Sequence, residues 1–515
     1  MLGVIAAFAA YLQLARTRAV NSDGASNALQ AWDMLHGNVL LHGWTLSDVS
    51  FYTTELPQYM LVEIARGLNA DVVPVAAAMT YTLATLLAAV LARGDATGRQ
   101  ALTRVLITVG IMLAPQLASG VNILISSPDH IGTSVPVMVI WLILDRASPR
   151  SYMPVITGAL LGWAMVADML VLYIGVLPLV LVCAIRVAQA AGFERKPLAS
   201  QWYELTLAAA ALAGAAAAVL ALHVIHARGG FYMPAPAAQF VHGGAMLLRN
   251  LGIAGQGLLL LAGADFVGLR TSASTAFIVL HLAGVLLAAW GTAVAARRFL
   301  RDRDLVAQLL VVGVALNLAI YVLSSKAGVI TQTREIAPVL PFSAALAGRL
   351  LAGRLQLAGR LQRARLAPLV LAVVVLLGYL AGLAFQVSQP PAAAQDQQLA
   401  AWLAARHLRT GLSGYWESNV VTLTSGDRVR IRAVTVTPPG GRLAPSLRES
   451  NADWYDPARN TADFVVLFPG VAGYPGFTPE SAVLATFGRP ARTYHVGAYT
   501  ILVWNKNLLS GLAAP

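Results

Sequence analysis

The chain has 515 residues, of which 57% are hydrophobic and 12% charged, and many of its apolar runs approach or exceed the length that crosses a bilayer. Composition therefore excludes an ordinary soluble enzyme and predicts an integral membrane protein. A net charge of +12 would point to nucleic acid in a soluble chain, but here the arginines fall in short segments between apolar runs, where they set orientation.

The first apolar run, MLGVIAAFAAYLQLAR, is shorter than the roughly 20 residues of a full span and has no basic segment before it. A short first helix or a start further upstream both fit. With this run at 2–16, spans are predicted near 72–93, 104–121, 131–145, 152–167, 169–187, 205–226, 276–296, 305–324, 337–352 and 367–388. The fold class is thus mostly α: a polytopic membrane bundle of about eleven helices. The seventh is rich in alanine over 207–222, which favours close helix packing. The single cysteine, Cys183, lies inside a span, so no intrachain disulfide and no thiol metal site are available.

Every second connection is basic: Arg93, Arg99 and Arg104; Arg146 and Arg150; Arg186, Arg195 and Lys196; Arg297 to Arg303; Arg349 to Arg365. The positive-inside rule places these in the cytoplasm. The alternate connections, 17–71, SSPDH at 126–130, 227–275 and SSKAGVITQTRE at 324–335, are then external, as is everything after the last span. Asp168, between two runs, reads as an external hairpin residue.

From QPPAAAQ at 389 onward the composition changes. The segments VVTLTSGDRVRIRAV (420–434), ADFVVLF (462–468) and YTILVWN (499–505) alternate like strands, and DQQLAAWLAARHL (396–408) has helical spacing. The expected organisation is a membrane domain over 1–388, with 17–71 as its first external loop, and a small extracytoplasmic α/β domain over 389–515.

The stretch RTRAVNSDGASNALQAWDMLHG (16–37) puts polar, acidic sequence directly after the first span. Asp23 or Ser22 is expected to cap a helix starting near Gly24, with residues 23, 26, 27, 30 and 33 forming a polar stripe. Ala25, Leu29, Trp32 and Leu35 face the other way, so the helix is expected along the membrane interface with its Trp at headgroup level and its polar stripe toward the protein or toward water. An interfacial connector with a capping Asp and a functional acid both fit. Other external polar residues are Asp33, His42, Asp48 and Glu55 in the first loop, Asp129 and His130 in the second, and Lys326 and Arg334 before the tenth span. Cations of this kind hold a phosphate while a carboxylate deprotonates a hydroxyl or binds a metal. No P-loop, CxxC, HExxH or GxSxG motif is present. Charged residues deep within the spans are scarce, which weighs against an ion-coupled transporter.

Three features together resemble the GT-C superfamily of integral membrane glycosyltransferases, which includes protein O-mannosyltransferases, aminoarabinose transferases and arabinofuranosyltransferases. NSDGASNALQAWDMLHG followed by ELPQYMLVEIARGL resembles that family's acidic first loop. TREIAPVLPFSAALAGRLL (333–351) resembles its late Arg-x-x-x-Pro-x-x-Pro approach to a span, here Arg334, Pro338 and Pro341. The terminal domain, with LSGYWESN at 412–419, is similar to the external domain that many members append.

The resemblance implies transfer of a sugar from a polyprenyl-phosphate donor to a glycan, lipid or protein acceptor at the outer face of the cytoplasmic membrane, with no nucleic-acid partner. Asp23 would be the catalytic acid, acting as general base. Asp129, with His130, Asp33 and Glu55, would bind acceptor or metal, while Arg334 and Lys326 would face the donor phosphate. No cofactor is required by these residues except, as an open alternative, a divalent metal (Mg or Mn), because the first loop has one Asp followed by Gly in place of the family's frequent paired acids. Tyr415, Trp416 and Trp454 offer faces for sugar stacking or, alternatively, pack the core of the small domain. A transporter or flippase of a lipid-linked saccharide and a noncatalytic membrane scaffold are the competing functions.

Overall fold

The computed structural model describes residues 2–115, 123–192, 195–234, 238–267, 273–361, 367–392, 395–437, 441–468 and 476–513. In chain order its helices are α1 (Leu2–Arg16), α2 (Ser22–Leu35), α3 (Glu55–Arg66), α4 (Val72–Arg93), α5 (Gly98–Met112), α6 (Asp129–Arg146), α7 (Met153–Ala167), α8 (Leu177–Gly192, entered through a π turn at Leu172–Val176) and α9 (Trp202–Ala227). There follow α10 (Gly244–Leu261), α11 (Ala273–Arg298), α12 (Leu305–Val322), α13 (Val339–Leu361), α14 (Ala367–Val387), α15 (Gln395–Ala405), α16 (Tyr415–Thr424) and α17 (Glu480–Phe487). The strands are β1 (Trp44–Thr45), β2 (Thr410–Ser413), β3 (Arg430–Thr437), β4 (Arg442–Pro445), β5 (Ser450–Asn451), β6 (Phe464–Leu467), β7 (Arg492–Val496) and β8 (Tyr499–Val503). Two compact units emerge: residues 1–17, 77–221 and 237–390 form one, and residues 18–76, 222–236 and 391–515 form the other.

The first unit is a helix bundle. Among the described residues, six helices are long and apolar enough to cross a membrane: Val72–Arg93, Leu172–Gly192, Leu198–Ala227, Gly244–Leu261, Thr275–Arg298 and Leu305–Val322. The pair Ile330–Ile336 and Val339–Gly353, bent by 52°, makes a seventh if taken as one span. Leu2–Arg16, Met153–Ala167 and Val375–Val387 are apolar but shorter. By this measure the expected count of about eleven is not reached. The end of the expected third span (116–121) and residues 362–366 of the last basic connection lie outside the described residues. One expectation is corrected outright: 227–275 is not simply a loop, because α10 occupies Gly244–Leu261. Arg249, Asn250 and Gln256 interrupt its apolar pattern, and Asn250 spends its amide on the carbonyls of Val322 and Ser324, each at 2.9 Å, so that polar group is satisfied inside the bundle.

Lipid tails are as apolar as leucine, so helices in a bilayer need close contact and hydrogen bonds to hold together. Glycines supply the contact between α7 and α9: a Cβ on Gly158 would collide with the Ala210 carbonyl, and one on Gly214 with the Gly158 carbonyl. The alanine-rich run was expected to pack in this way. Hydroxyls supply the bonds. Tyr11 and Tyr81 meet edge to face at 4.8 Å and both donate to the Met112 carbonyl, tying α1, α4 and α5 together. Thr108 on α5 donates to the Ala344 carbonyl of α13 at 3.2 Å. At the C-terminal end of α6, Arg349 of α13 reaches Asp145 at 2.9 Å, Asp304 at 2.6 Å and the Leu91 carbonyl at 2.7 Å, joining the ends of α4, α6 and α12 to the middle of α13.

The second unit is built on a six-stranded sheet of order β4-β3-β2-β6-β8-β7, in which β3, β2 and β6 run parallel and the remaining pairs antiparallel. Apolar residues line both sides: Leu412, Val465 and Leu502 pack with Phe487 and Trp504, while Ile431, Phe464, Val466 and Ile501 pack with Leu399, Leu403 and Val421. The expected helix at 396–408 and the strands at 462–468 and 499–505 appear as α15, β6 and β8. The expected strand at 420–434 does not. Residues 420–424 complete α16 and only Arg430 onward is strand. Val420 and Val421 read as strand by propensity, but α16 is buried between α2, α15 and β3, and that packing decides.

Three distant stretches meet in this unit. Trp44 and Thr45 pair with Asn451 and Ser450, and Tyr232 bonds the backbone of Trp44 and Leu46 at 2.9 and 2.8 Å. Gly43 has φ +79°, and a Cβ there would strike the Asn451 side chain, so only glycine fits this crossing.

Candidate active site

Helix α2 begins two residues earlier than its sequence suggests. Asn21 is the cap, its side chain accepting from the Gly24 N–H at 2.8 Å, so neither Ser22 nor Asp23 serves that role. The polar stripe turns toward the protein, one of the two orientations expected of it. Ser26, Asn27 and Gln30 of the expected polar stripe are buried, as are Ser22, Ala25 and Leu29, because α3 and α16 pack against the helix. Ser22 Oγ donates to the Tyr415 carbonyl at 2.6 Å, and Ser26 Oγ, one turn on, donates to the Glu449 carbonyl at 3.1 Å.

These anchors set the geometry around Asp23. The Tyr415 hydroxyl hydrogen-bonds Asp23 Oδ1 at 2.5 Å and also contacts Glu449 Oε2. Tyr415 is 5% exposed, and burial first, then the two carboxylates, push its phenol well above its ordinary range, so it stays protonated. Glu449, also 5% exposed, sits at φ +49°, a conformation that a non-glycine residue holds only when its surroundings impose it. The Arg448 guanidinium stands 5.3 Å from the Tyr415 ring centre. A carboxylate pair about a buried phenol is suited to moving a proton.

The bundle has its own constellation. Asp129 and His130 open α6, Asp129 at φ +30°. His130 Nδ1 bonds Asp168 Oδ2 at 2.8 Å, and Thr133 donates to that same oxygen at 2.5 Å. Asp168 Oδ1 accepts the Leu170 N–H at 2.8 Å. On its other edge the imidazole faces Glu335 Oε2 at 3.7 Å, and Lys326 pairs with Glu335 Oε1 at 3.1 Å. Arg334, half-buried, is near enough to act electrostatically on His130. Asp168, read as an external hairpin residue, does stand in the turn after α7, but it is 3% exposed and the hub of this network.

The other sequence candidates make the following contacts. Asp33 Oδ2 accepts from Asn38 at 2.7 Å and from the Trp44 indole at 2.8 Å. Glu55 is buried in the first turn of α3 and contacts Thr54. Trp454 lies under Arg432, 3.7 Å from guanidinium to ring centre, and edge-on to Trp44, packed against the domain core. Trp416 is half-buried beside Tyr415, its ring centre 5.2 Å from the tyrosine's.

At the level of sequence, no protein-family model matches the chain and no curated protein matches it. Solved structures do. ArnT from Cupriavidus metallidurans, in a crystal structure bound to undecaprenyl phosphate, aligns over 97% of this chain and 96% of its own with a TM-score of 0.54 at 13% identity. The fold is similar to ArnT's from end to end. The oligosaccharyltransferase AglB of Archaeoglobus fulgidus also aligns, over 90% of this chain and 69% of its own. Its apo form gives a TM-score of 0.48 at 13% identity, and its complex with an inhibitory peptide and a dolichol-phosphate 0.47 at 14%.

Among the described residues no group of three or more His, Cys, Asp or Glu side chains forms a metal-ligand set, so no step is assigned to the metal left open by the sequence. The residues that sequence reasoning missed are Asp168, Thr133, Glu335, Arg448 and Glu449. Glu335 was adjacent to a named residue, while nothing in SLRESN (446–451) announces a partner for the first loop.

Proposed function

We propose that the chain is a GT-C-type membrane glycosyltransferase that moves a sugar from a polyprenyl-phosphate donor to an acceptor at the outer face of the cytoplasmic membrane. The observation that carries this is the likeness to ArnT over nearly the whole of both chains, since that structure holds undecaprenyl phosphate. In this reading Asp23 deprotonates the acceptor hydroxyl and Arg334 and Lys326 offset the charge of the donor phosphate. His130, between two carboxylates, and Asp129 position the acceptor. Asp33 and Trp454 are assigned to structure. The basic residues expected in the cytoplasm include Arg349, whose ion pair with Asp145 lies at the C-terminal end of α6, about 22 Å along that helix from His130. That separation supports an outward-facing His130 end.

The test is donor consumption by the purified protein in nanodiscs, across a panel of polyprenyl-phosphate sugars with cell-envelope extract as acceptor. Wild type should release polyprenyl phosphate, and Asp23→Asn, folded and inserted, should lose this at least a hundredfold. Movement of the sugar lipid across liposome membranes that survives Asp23→Asn would instead establish a flippase. Neither activity in a folded protein would leave a scaffold.

A further inference from the structure

The sequence reading gives Asp23 its role alone, but the second unit surrounds it with groups that no transferase reading requires. The Tyr415 hydroxyl lies between Asp23 Oδ1 and Glu449 Oε2, yet it has one proton to give. With both carboxylates ionised, one of the two oxygen contacts has no proton in it. A single further proton completes the pair of hydrogen bonds, whichever carboxyl carries it.

We propose that Asp23, Tyr415 and Glu449 act as one proton-accepting unit, in which a proton taken from the acceptor hydroxyl by Asp23 is passed through the phenol to Glu449. This rests on the glycosyltransferase reading. The acceptor O–H bond breaks and its proton goes to Asp23, while the acceptor oxygen bonds the anomeric carbon. The bond from that carbon to the phosphate oxygen breaks, and polyprenyl phosphate leaves with the electron pair. Tyr415 gives its phenolic proton to Glu449 and receives the one on Asp23, so Asp23 is again a carboxylate and the proton resides on Glu449 until it is lost to solvent between turnovers.

Three independent features support the assignment. The unit is built, because Ser22 and Ser26 fix the backbone carbonyls of Tyr415 and Glu449 to successive turns of the helix that carries Asp23. Glu449 is held in a left-handed conformation while buried, which aims its carboxylate at the phenol at a conformational cost. Burial keeps the phenol protonated, as a relay requires. Among the described residues, charged groups around the phenol include Asp23 from α2 and Arg448 and Glu449 from the segment before β5.

A proton shared by two carboxylates belongs to the pair, so removing Glu449 alters its uptake. The deciding experiment is therefore the pH profile of kcat/KM for donor consumption in wild type, Glu449→Gln, Tyr415→Phe and the double variant. Glu449→Gln should lower the rate about 10–100-fold and move the acid limb to lower pH by about one unit. The double variant should be no slower than the slower single, as for residues acting as one device. Rate losses that add, with the acid limb unmoved, would overturn the relay and leave Glu449 a structural residue. An infrared pH titration needs no substrate: the protonated-carboxyl signal in wild type minus Glu449→Gln should appear at higher pH than in a single exposed carboxyl. A difference spectrum without that component overturns the unit. If wild type consumes no donor but the infrared result holds, the transferase reading fails and the shared proton stands.

Discussion

Asp23 and Tyr415 stand 392 positions apart in the chain and share a hydrogen bond of 2.5 Å inside one compact unit. The bond depends on two serines. Both carbonyls they serve have a second donor, Ser418 for Tyr415 and Asn419 for Glu449, so removing either hydroxyl does not orphan a carbonyl. Ser26 differs from Ser22 because it also accepts from Gln30 Nε2 at 3.0 Å, and that amide is buried. Ser22→Ala should therefore cost about 1 kcal/mol and Ser26→Ala about 2. Hydrogen exchange at the amides of α16 should show both losses, with Ser26→Ala the faster to exchange.

Asp168 is the acceptor for three donors at once: His130, Thr133 and the Leu170 N–H. Asp168→Ala leaves all three buried without it and should lower stability by about 3–5 kcal/mol, which in detergent is a large fall in Tm. Thr133→Ala removes one donor and should cost about 1 kcal/mol. Equal effects of the two variants would mean that Asp168 is not the hub.

Much of the bundle was legible because a bilayer demands long apolar runs, and these are plain in the sequence. The Asp23 loop was legible as a site but not in its geometry. Asn21 captured the cap that Asp23 or Ser22 was expected to supply, since three adjacent residues, all competent, compete for one N–H and only backbone geometry decides. For the stripe Ser26, Asn27 and Gln30, spacing left protein and water equally open, and what decides it is burial beneath α16, more than 380 residues away in sequence. Glu449 and Asp168 carried no motif at all. Their partners come from tertiary contact, which a periodicity does not encode.

Lys326 and Arg334 separate in a way their charges alone do not suggest. Lys326 is bound to Glu335, which also faces His130, so Lys326→Met should disturb that network and lower stability as well as activity. Arg334→Gln should act mainly on donor recognition, raising the donor KM by about 10–100-fold as the loss of one charge-assisted phosphate contact does, with kcat reduced less. Steady-state kinetics on the donor identified above checks this. A fall in kcat at unchanged KM would move Arg334 from donor recognition to the chemical step.

Glu63 gives the protein a pH dependence independent of catalysis. It lies in α3, outside the candidate spans, is 2% exposed, and neither carboxylate oxygen has a hydrogen-bond partner among the described residues. The nearby Arg66 pairs with Asp71 at 2.9 Å. Burial pushes the Glu63 carboxyl from its ordinary 4.5 up to about 9. Below pH 4.5 the group is protonated folded or unfolded and costs nothing. Between 4.5 and 9 the unfolded chain has released that proton and the folded one has not, so the folded state binds more protons and stability falls as pH rises. At pH 7 the loss is of order 3 kcal/mol. Glu63→Gln removes the titration while keeping the shape. It should be more stable than wild type by an amount that grows from near zero at pH 5 to a few kcal/mol at pH 8, read from unfolding in detergent across that range. A gain that stays flat with pH would mean that Glu63 is ionised in the folded protein and has a partner.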